Sequence, residues 1–253
     1  VRTDQPSSPE LSLTGVATGT LKATYIAVAG YVAFLLWAAL IQNGLAAIGI
    51  DVGPVLSPLL QPFAILLGTL TAIFFFVRWS EQSLDYLDIA WLDRQDWTHV
   101  ALGAVGLLGV VGGFDVLSAT LGIESAQHGI LAQARETPEI LLALTPLAIL
   151  CVGPGEELLY RNLVQKPLYS SVPRWAAVAI ASVVFALVHL PAYLVSSPST
   201  GALAASLGVT FGLSLVLGWI YERTRNIVVP ALVHGGYDAV VYTVLYLEIT
   251  GGV

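Results

Sequence analysis

The chain has 253 residues, of which 56% are hydrophobic and 11% charged, and its mean hydropathy is +0.80. A soluble domain carries about one charged residue in four, so a water-soluble globular domain, a disordered chain and a coiled coil are excluded, and the single Cys151 excludes a disulfide scaffold. The net charge of −7 comes without a basic patch, which leaves no footprint for nucleic acid, and the scarcity of lysine (Lys22 and Lys166) with a pI near 4.9 suits a salt-adapted organism.

The sequence begins at Val1 and contains no Met, so its natural start is expected to lie upstream. Residues 1–20, from Val1 to Thr20, are rich in Ser, Thr, Pro and Gly and read as a polar, mobile tail before a single bundle over 21–253. Apolar runs follow at about 22–42, 55–77, 99–121, 139–165, 174–195, 201–221 and 227–248. Each is long enough to cross a bilayer, which takes roughly 20 apolar residues as helix. A lipid-exposed backbone must satisfy its own hydrogen bonds, so all seven are predicted to be helices. The fold class is therefore an all-α, polytopic membrane bundle of about seven spans. The first run is longer than a signal-peptide core and follows a longer polar stretch, so it reads as a span.

Lys and Arg set the expected topology. With the N-terminus in the cytoplasm, nine of the ten cations fall inside and only Arg135 outside. An odd number of spans then sends the C-terminus outside. Gly109 with Gly113 and Gly208 with Gly212 are small-xxx-small pairs, expected to let helices pack closely.

A charged group at the bilayer centre costs at least ~2.5 kcal/mol, so intramembrane ionisable residues are candidates for function. The first two spans carry almost none. They cluster late: Glu156, Glu157 and Arg161 in the fourth span, His189 in the fifth, His234 and Asp238 in the seventh, with Asp115 standing apart in the third. Gly153-Pro154-Gly155 is expected to break or kink the fourth helix and to aim a new helix N-terminus at the two carboxylates. Glu157 and Arg161 share a face at i,i+4 and can pair, while Glu156 is turned about 100° away and stays free. Phe185 and His189 share a face of the fifth helix, as do His234 and Asp238 on the seventh. Depth raises a conflict: His234 lies ~10 Å and His189 ~22 Å along their helices from the inner side at 1.5 Å per residue, unless the fifth helix starts well into the cytoplasm near Pro173 or tilts. Together a Glu, two His and an Asp supply an acid/base set for water attack on an amide, or equally a mixed N/O ligand set for zinc.

Glu156-Glu157-x-x-x-Arg161, Phe185-x-x-x-His189 and His234-x-x-x-Asp238, in this order on three late helices, resemble the CPBP family of CAAX proteases and bacteriocin-processing enzymes, which includes the type II CAAX prenyl endopeptidases. The resemblance covers roughly residues 139–245. It implies an intramembrane endopeptidase acting on a membrane protein or peptide, with Glu156 as the base that activates water and His189 assisting. It places His234 and Asp238 where the oxyanion or substrate carbonyl is held, and Glu157, Arg161 and Phe185 as support. The chemistry stays open between a metal-free glutamic mechanism and zinc held by Glu156, His189, His234 and Asp238. Asp238 departs from the Asn of the prenyl proteases. An ionised Asp only accepts hydrogen bonds, so it suits an oxyanion only if protonated, and otherwise suits a metal or an oriented His234.

Other intramembrane chemistries fit less well. His-Glu-x-x-His and Gly-x-Ser-Gly are absent, and Asp115 with Asp238 lacks the Gly-x-Gly-Asp of an aspartyl pair. Cys151 reads as packing rather than as a thiol nucleophile. The rival functions are a proton- or ion-coupled transporter using Glu156, His189 and Asp238 as a relay, and a scaffold that retains the cluster without chemistry.

Overall fold

The computed structural model describes residues 9–252 apart from Ser125, Gln127, Ser197 and the side chain of Ala132. Seven helices are long and apolar enough to cross a membrane: α1 (Leu13–Ala47), α2 (Leu56–Ser80), α3 (Arg94–Leu121), α5 (Glu139–Leu168), α6 (Arg174–Leu194), α7 (Thr200–Thr224) and α8 (Val228–Thr250). A short α4 (Gly129–Ala134) lies between α3 and α5. Among the described residues there is no strand. The chain is an integral, multi-pass, all-α membrane protein.

Helix starts follow local capping chemistry. Ser12 caps α1 by accepting from the Gly15 amide at 3.0 Å, and Ser199 caps α7 through the Ala202 amide at 3.1 Å. Asp93 and Asp96 form a reciprocal capping box at α3. Because Ser12 caps the helix, α1 takes up residues 13–20 that composition assigned to the tail. Residues 1–8 of that expected tail lie outside the described residues.

Three apolar clusters make the core. One joins α1, α5 and α6 through residues such as Ala27, Leu163, Ala181 and Phe185. A second joins the first half of α5 to the last half of α8 through Leu141, Leu144 and Tyr242. The third joins α3, α7 and α8 through Leu107, Leu217, Ile220 and Val233. At one end of the bundle the segment between α2 and α3 is latched by polar contacts: Asp88 meets Lys166 Nζ at 2.8 Å and Tyr221 Oη at 2.6 Å, and Asn162 donates to the Leu87 carbonyl.

Of the break or kink expected at Pro154, the break does not occur. Helix α5 runs through, with π-helical turns at Ala148–Val152 and Leu158–Gln165 on either side of a five-residue α segment, Gly153–Glu157. The wider turns absorb the donor that Pro154 lacks, so no free helix N-terminus faces the carboxylates. The glycines around it serve packing instead. A Cβ on Gly153 would sit 2.5 Å from the Ala231 carbonyl oxygen, and one on Gly235 would sit 2.6 Å from that of Ala148. These two glycines let α5 and α8 touch backbone to backbone. The small-xxx-small pairs do less: Gly109, Gly113 and Gly208 have open space around them, and only Gly212 meets a neighbour, Val110.

Gly235→Ala is therefore expected to destabilise the protein by about 1–3 kcal/mol. Gly236→Ala, with nothing within 4 Å of its Cβ, should be near neutral. Melting temperatures of the two variants in detergent check this.

Candidate active site

The site is built where α5 passes between α6 and α8. Glu157 and Arg161 are fully buried and paired, Arg161 Nε donating to Glu157 Oε2 at 2.8 Å. The other carboxylate oxygen accepts from His234 Nδ1 at 2.9 Å. Arg161 also donates to Ser214 on α7 at 3.1 Å and lies 5.5 Å from the centre of the Phe185 ring. One buried carboxylate thus joins α5, α7 and α8. Because a carboxylate paired with Arg accepts only, His234 carries a proton on Nδ1 and turns Nε2 the other way.

His189 is oriented by the same logic. It caps the main α-helical stretch of α6, and its Nδ1 lies 2.8 Å from the Phe185 carbonyl, which only accepts. Its Nε2 faces Glu156. The Phe185 ring packs 4.5 Å from the His189 ring, 6.1 Å from His234 and edge-on to Tyr160 at 4.9 Å, so it separates the arginine from the open side.

Glu156 is left over. Its Oε2 is buried with no hydrogen-bond partner among the described residues, and it lies 3.9 Å from Nε2 of both His189 and His234. The two histidines therefore reach the same depth, which resolves the conflict raised by helix counting. Asp238 Oδ2 lies 3.6 Å from His234 Nε2 on the far side. Glu156, His189, His234 and Asp238 come together. Asp115 does not: it is exposed on α3. Cys151 is buried and lines neither of the cavities described below.

Two donors on a tetrahedral zinc lie about 3.3 Å apart, against 3.6 and 3.9 Å here. Among the described residues no three of His, Cys, Asp and Glu form a group that could hold a metal ion.

Two cavities meet at Glu156. One, of about 430 Å³, is walled mainly by apolar side chains of α1 and α2, including Tyr31, Phe34, Leu35 and Ile65. The other, of about 260 Å³, contains His234, Asp238, Tyr193, Thr210, Tyr237 and Tyr242. Glu156, His189 and His128 line both. His128 was missed from the sequence because it sits before α4, outside any helical period. Its ring lies 6.4 Å from that of His189 and edge-on to Tyr193. Burial, then the facing His189, push its pKa down to about 4.

Residues 138–240 match the family model for type II CAAX prenyl endopeptidase Rce1-like proteins. This region is similar to the type II CAAX prenyl endopeptidase family. It holds all of α5, α6 and α7 and the first half of α8, and so every side chain of the cluster except His128. No curated protein and no solved structure matches the chain.

Arg161→Met should cost about 3–5 kcal/mol by leaving Glu157 buried and unpaired, seen as a lower melting temperature in detergent. For His128 the sign is also fixed. Its folded pKa lies below the ordinary 6.5, so stability is lost as pH falls from 6.5 toward 4, by about 3 kcal/mol at most. The stability difference between wild type and His128→Gln should shrink over that interval, and melting curves taken across it check this.

Proposed function

We propose that the chain is an intramembrane endopeptidase in which Glu156 activates the water that hydrolyses a peptide bond of a membrane protein or peptide. The observation that supports this most is the contrast between neighbours: Glu157 is neutralised by Arg161 and His234, while Glu156 has an unpartnered oxygen facing two oriented imidazoles. At 3.9 Å these atoms are too far apart to bond directly. A water bonded to both at about 2.8 Å would span that separation. That places the nucleophile beside its base, the first requirement of general-base catalysis.

The steps follow from the donors and acceptors. The Glu156 carboxylate takes a proton from the water as its oxygen bonds to the scissile carbonyl carbon. His189 Nε2 accepts the water's other hydrogen bond and fixes its direction. The carbonyl electron pair moves onto oxygen, and a proton on His234 Nε2 is the donor that meets it. Glu157 at Nδ1 and Asp238 beyond Nε2 hold that imidazolium in place. Glu156 then returns its proton to the amide nitrogen as the C–N bond breaks, leaving a carboxylic acid and an amine. Asp238, ionised, only accepts, so it orients His234 and is not itself the oxyanion donor. Glu157, Arg161 and Phe185 support the two histidines. No step requires a metal. By the positive-inside bias, the latched, cation-bearing end of the bundle faces the cytoplasm.

Glu156→Gln should lower cleavage by ~10²-fold or more, and cleavage by the wild type should survive chelators. The check is a comparison of membrane-protein fragments in cells expressing wild type or variant, with chelation repeated on purified protein. Identical fragment sets would remove the enzyme reading and favour a scaffold. Activity lost to a chelator and restored by zinc would replace the glutamic mechanism.

A further inference from the structure

Three titratable side chains stand where the two cavities meet, Glu156, His189 and His128, and the hydrolytic steps above use only the first two. The third is held by a network of its own. The Ala126 amide donates to Ser206 Oγ on α7 at 2.8 Å, and that hydroxyl donates back to the Ala126 carbonyl at 3.2 Å. One turn further along α7, Thr210 donates to the Ser206 carbonyl at 3.0 Å, so in the 2.9 Å bond between Thr210 and Tyr193 the donor is Tyr193. Ser206 and Thr210 are both buried. The Tyr193 ring, fixed in this way, meets the His128 ring edge-on at 5.5 Å. One turn of α7 therefore sets both the chain just before His128 and the ring on which it leans.

The two nitrogens of His128 differ in role. Nδ1 accepts from the Ile130 amide at 3.4 Å and so caps α4. An amide N–H only donates, so the neutral ring carries its proton on Nε2. Neutral is the state that burial and then His189 favour, with the pKa pushed down to about 4. Among the described residues Nε2 has no hydrogen-bond partner. An uncharged N–H donor is thus held with its ring 6.4 Å from that of His189, the residue that directs the water. A peptide drawn into a membrane-embedded site needs partners for its own carbonyls, because an unpaired backbone group there is costly. An extended peptide advances ~3.3 Å per residue, so the ring separation corresponds to about two residues. We propose that His128 is a substrate-binding residue whose Nε2–H donates to a backbone carbonyl of the substrate within about two residues of the scissile bond. This rests on the endopeptidase reading above and deepens it: the ligand of His128 is the extended main chain of the substrate, whatever its side chains. The scissile carbonyl goes to His234 and a neighbouring one to His128, so the peptide is held at two points along its main chain.

The test separates the two nitrogens. An asparagine amide ends near the position of Nδ1 and a glutamine amide near that of Nε2. His128→Asn therefore keeps the cap of α4 without the donor, and His128→Gln keeps the donor without the cap. The substrate is a quenched fluorogenic peptide spanning a cut mapped by the comparison of wild type with Glu156→Gln, assayed with the purified protein in liposomes. In His128→Asn, kcat/KM is expected to fall by about tenfold or more, mostly through KM, and His128→Gln should recover most of that loss. In a second arm the amides flanking the scissile bond are replaced in turn by thioamides, which keep the N–H but accept more weakly. One position should slow the wild type by about fivefold and His128→Asn by less than about twofold, because both changes remove the same hydrogen bond. Full activity in His128→Asn, a loss in His128→Gln as large as in His128→Asn, or a thioamide effect that is equal in wild type and His128→Asn overturns the inference and leaves the endopeptidase reading standing. So does a thioamide series in which no position slows the wild type, a result that needs no variant to fold. If no cut distinguishes wild type from Glu156→Gln, the endopeptidase reading fails and this inference with it.

Discussion

The arrangement depends on one buried ion pair. Glu157 and Arg161 sit fully out of water within a membrane span, where an isolated charge is very costly. Their mutual pairing at 2.8 Å offsets that cost, and Arg161 Nη2 and the second Glu157 oxygen reach Ser214 and His234 on two other helices. The pair therefore sets the position of α7 and α8 relative to α5. It also keeps a proton on His234 Nδ1, so that Nε2 is the nitrogen turned toward the cavities. Glu156, one residue earlier and about 100° around the helix, is excluded from this network and meets the cavities instead.

Backbone proximity makes that network reachable. Gly153 and Gly235 remove the Cβ atoms where α5 crosses α8, so the two backbones come close beside the 2.9 Å contact of Glu157 with His234. The π-helical turns before and after Gly153–Glu157 keep the helix continuous across Pro154. From α2, Thr69 donates to the Gly155 carbonyl at 2.9 Å, a further tie that holds this stretch.

Much of this was legible in the sequence, for definable reasons. Seven apolar runs gave seven spans because lipid leaves the backbone no alternative to helix, and their ends moved by only a few residues except at Ser12, where a capping side chain outweighed the polar composition after it. The i,i+4 spacing of Glu157 with Arg161 gave their pairing, and the cost of buried charge singled out Glu156, His189, His234 and Asp238. Three features were not legible. Pro154 between glycines reads as a break because intrahelical rules ignore the π turns that absorb it. Gly109, Gly113 and Gly208 read as packing residues because spacing alone does not say which face has a neighbour. His128 was invisible because a loop histidine has no period, and only the closure of the bundle brings it to His189.

The central claim is that adjacent glutamates do opposite work, Glu157 holding the bundle together and Glu156 standing free of it. Thermal unfolding of Glu156→Gln and Glu157→Gln in the same detergent tests that split most directly. The account predicts that Glu157→Gln lowers stability by about 3–5 kcal/mol while Glu156→Gln stays within about 1 kcal/mol of wild type or rises, since its lost charge had no partner to lose. Equal destabilisation by both, or the larger loss at Glu156, would contradict it.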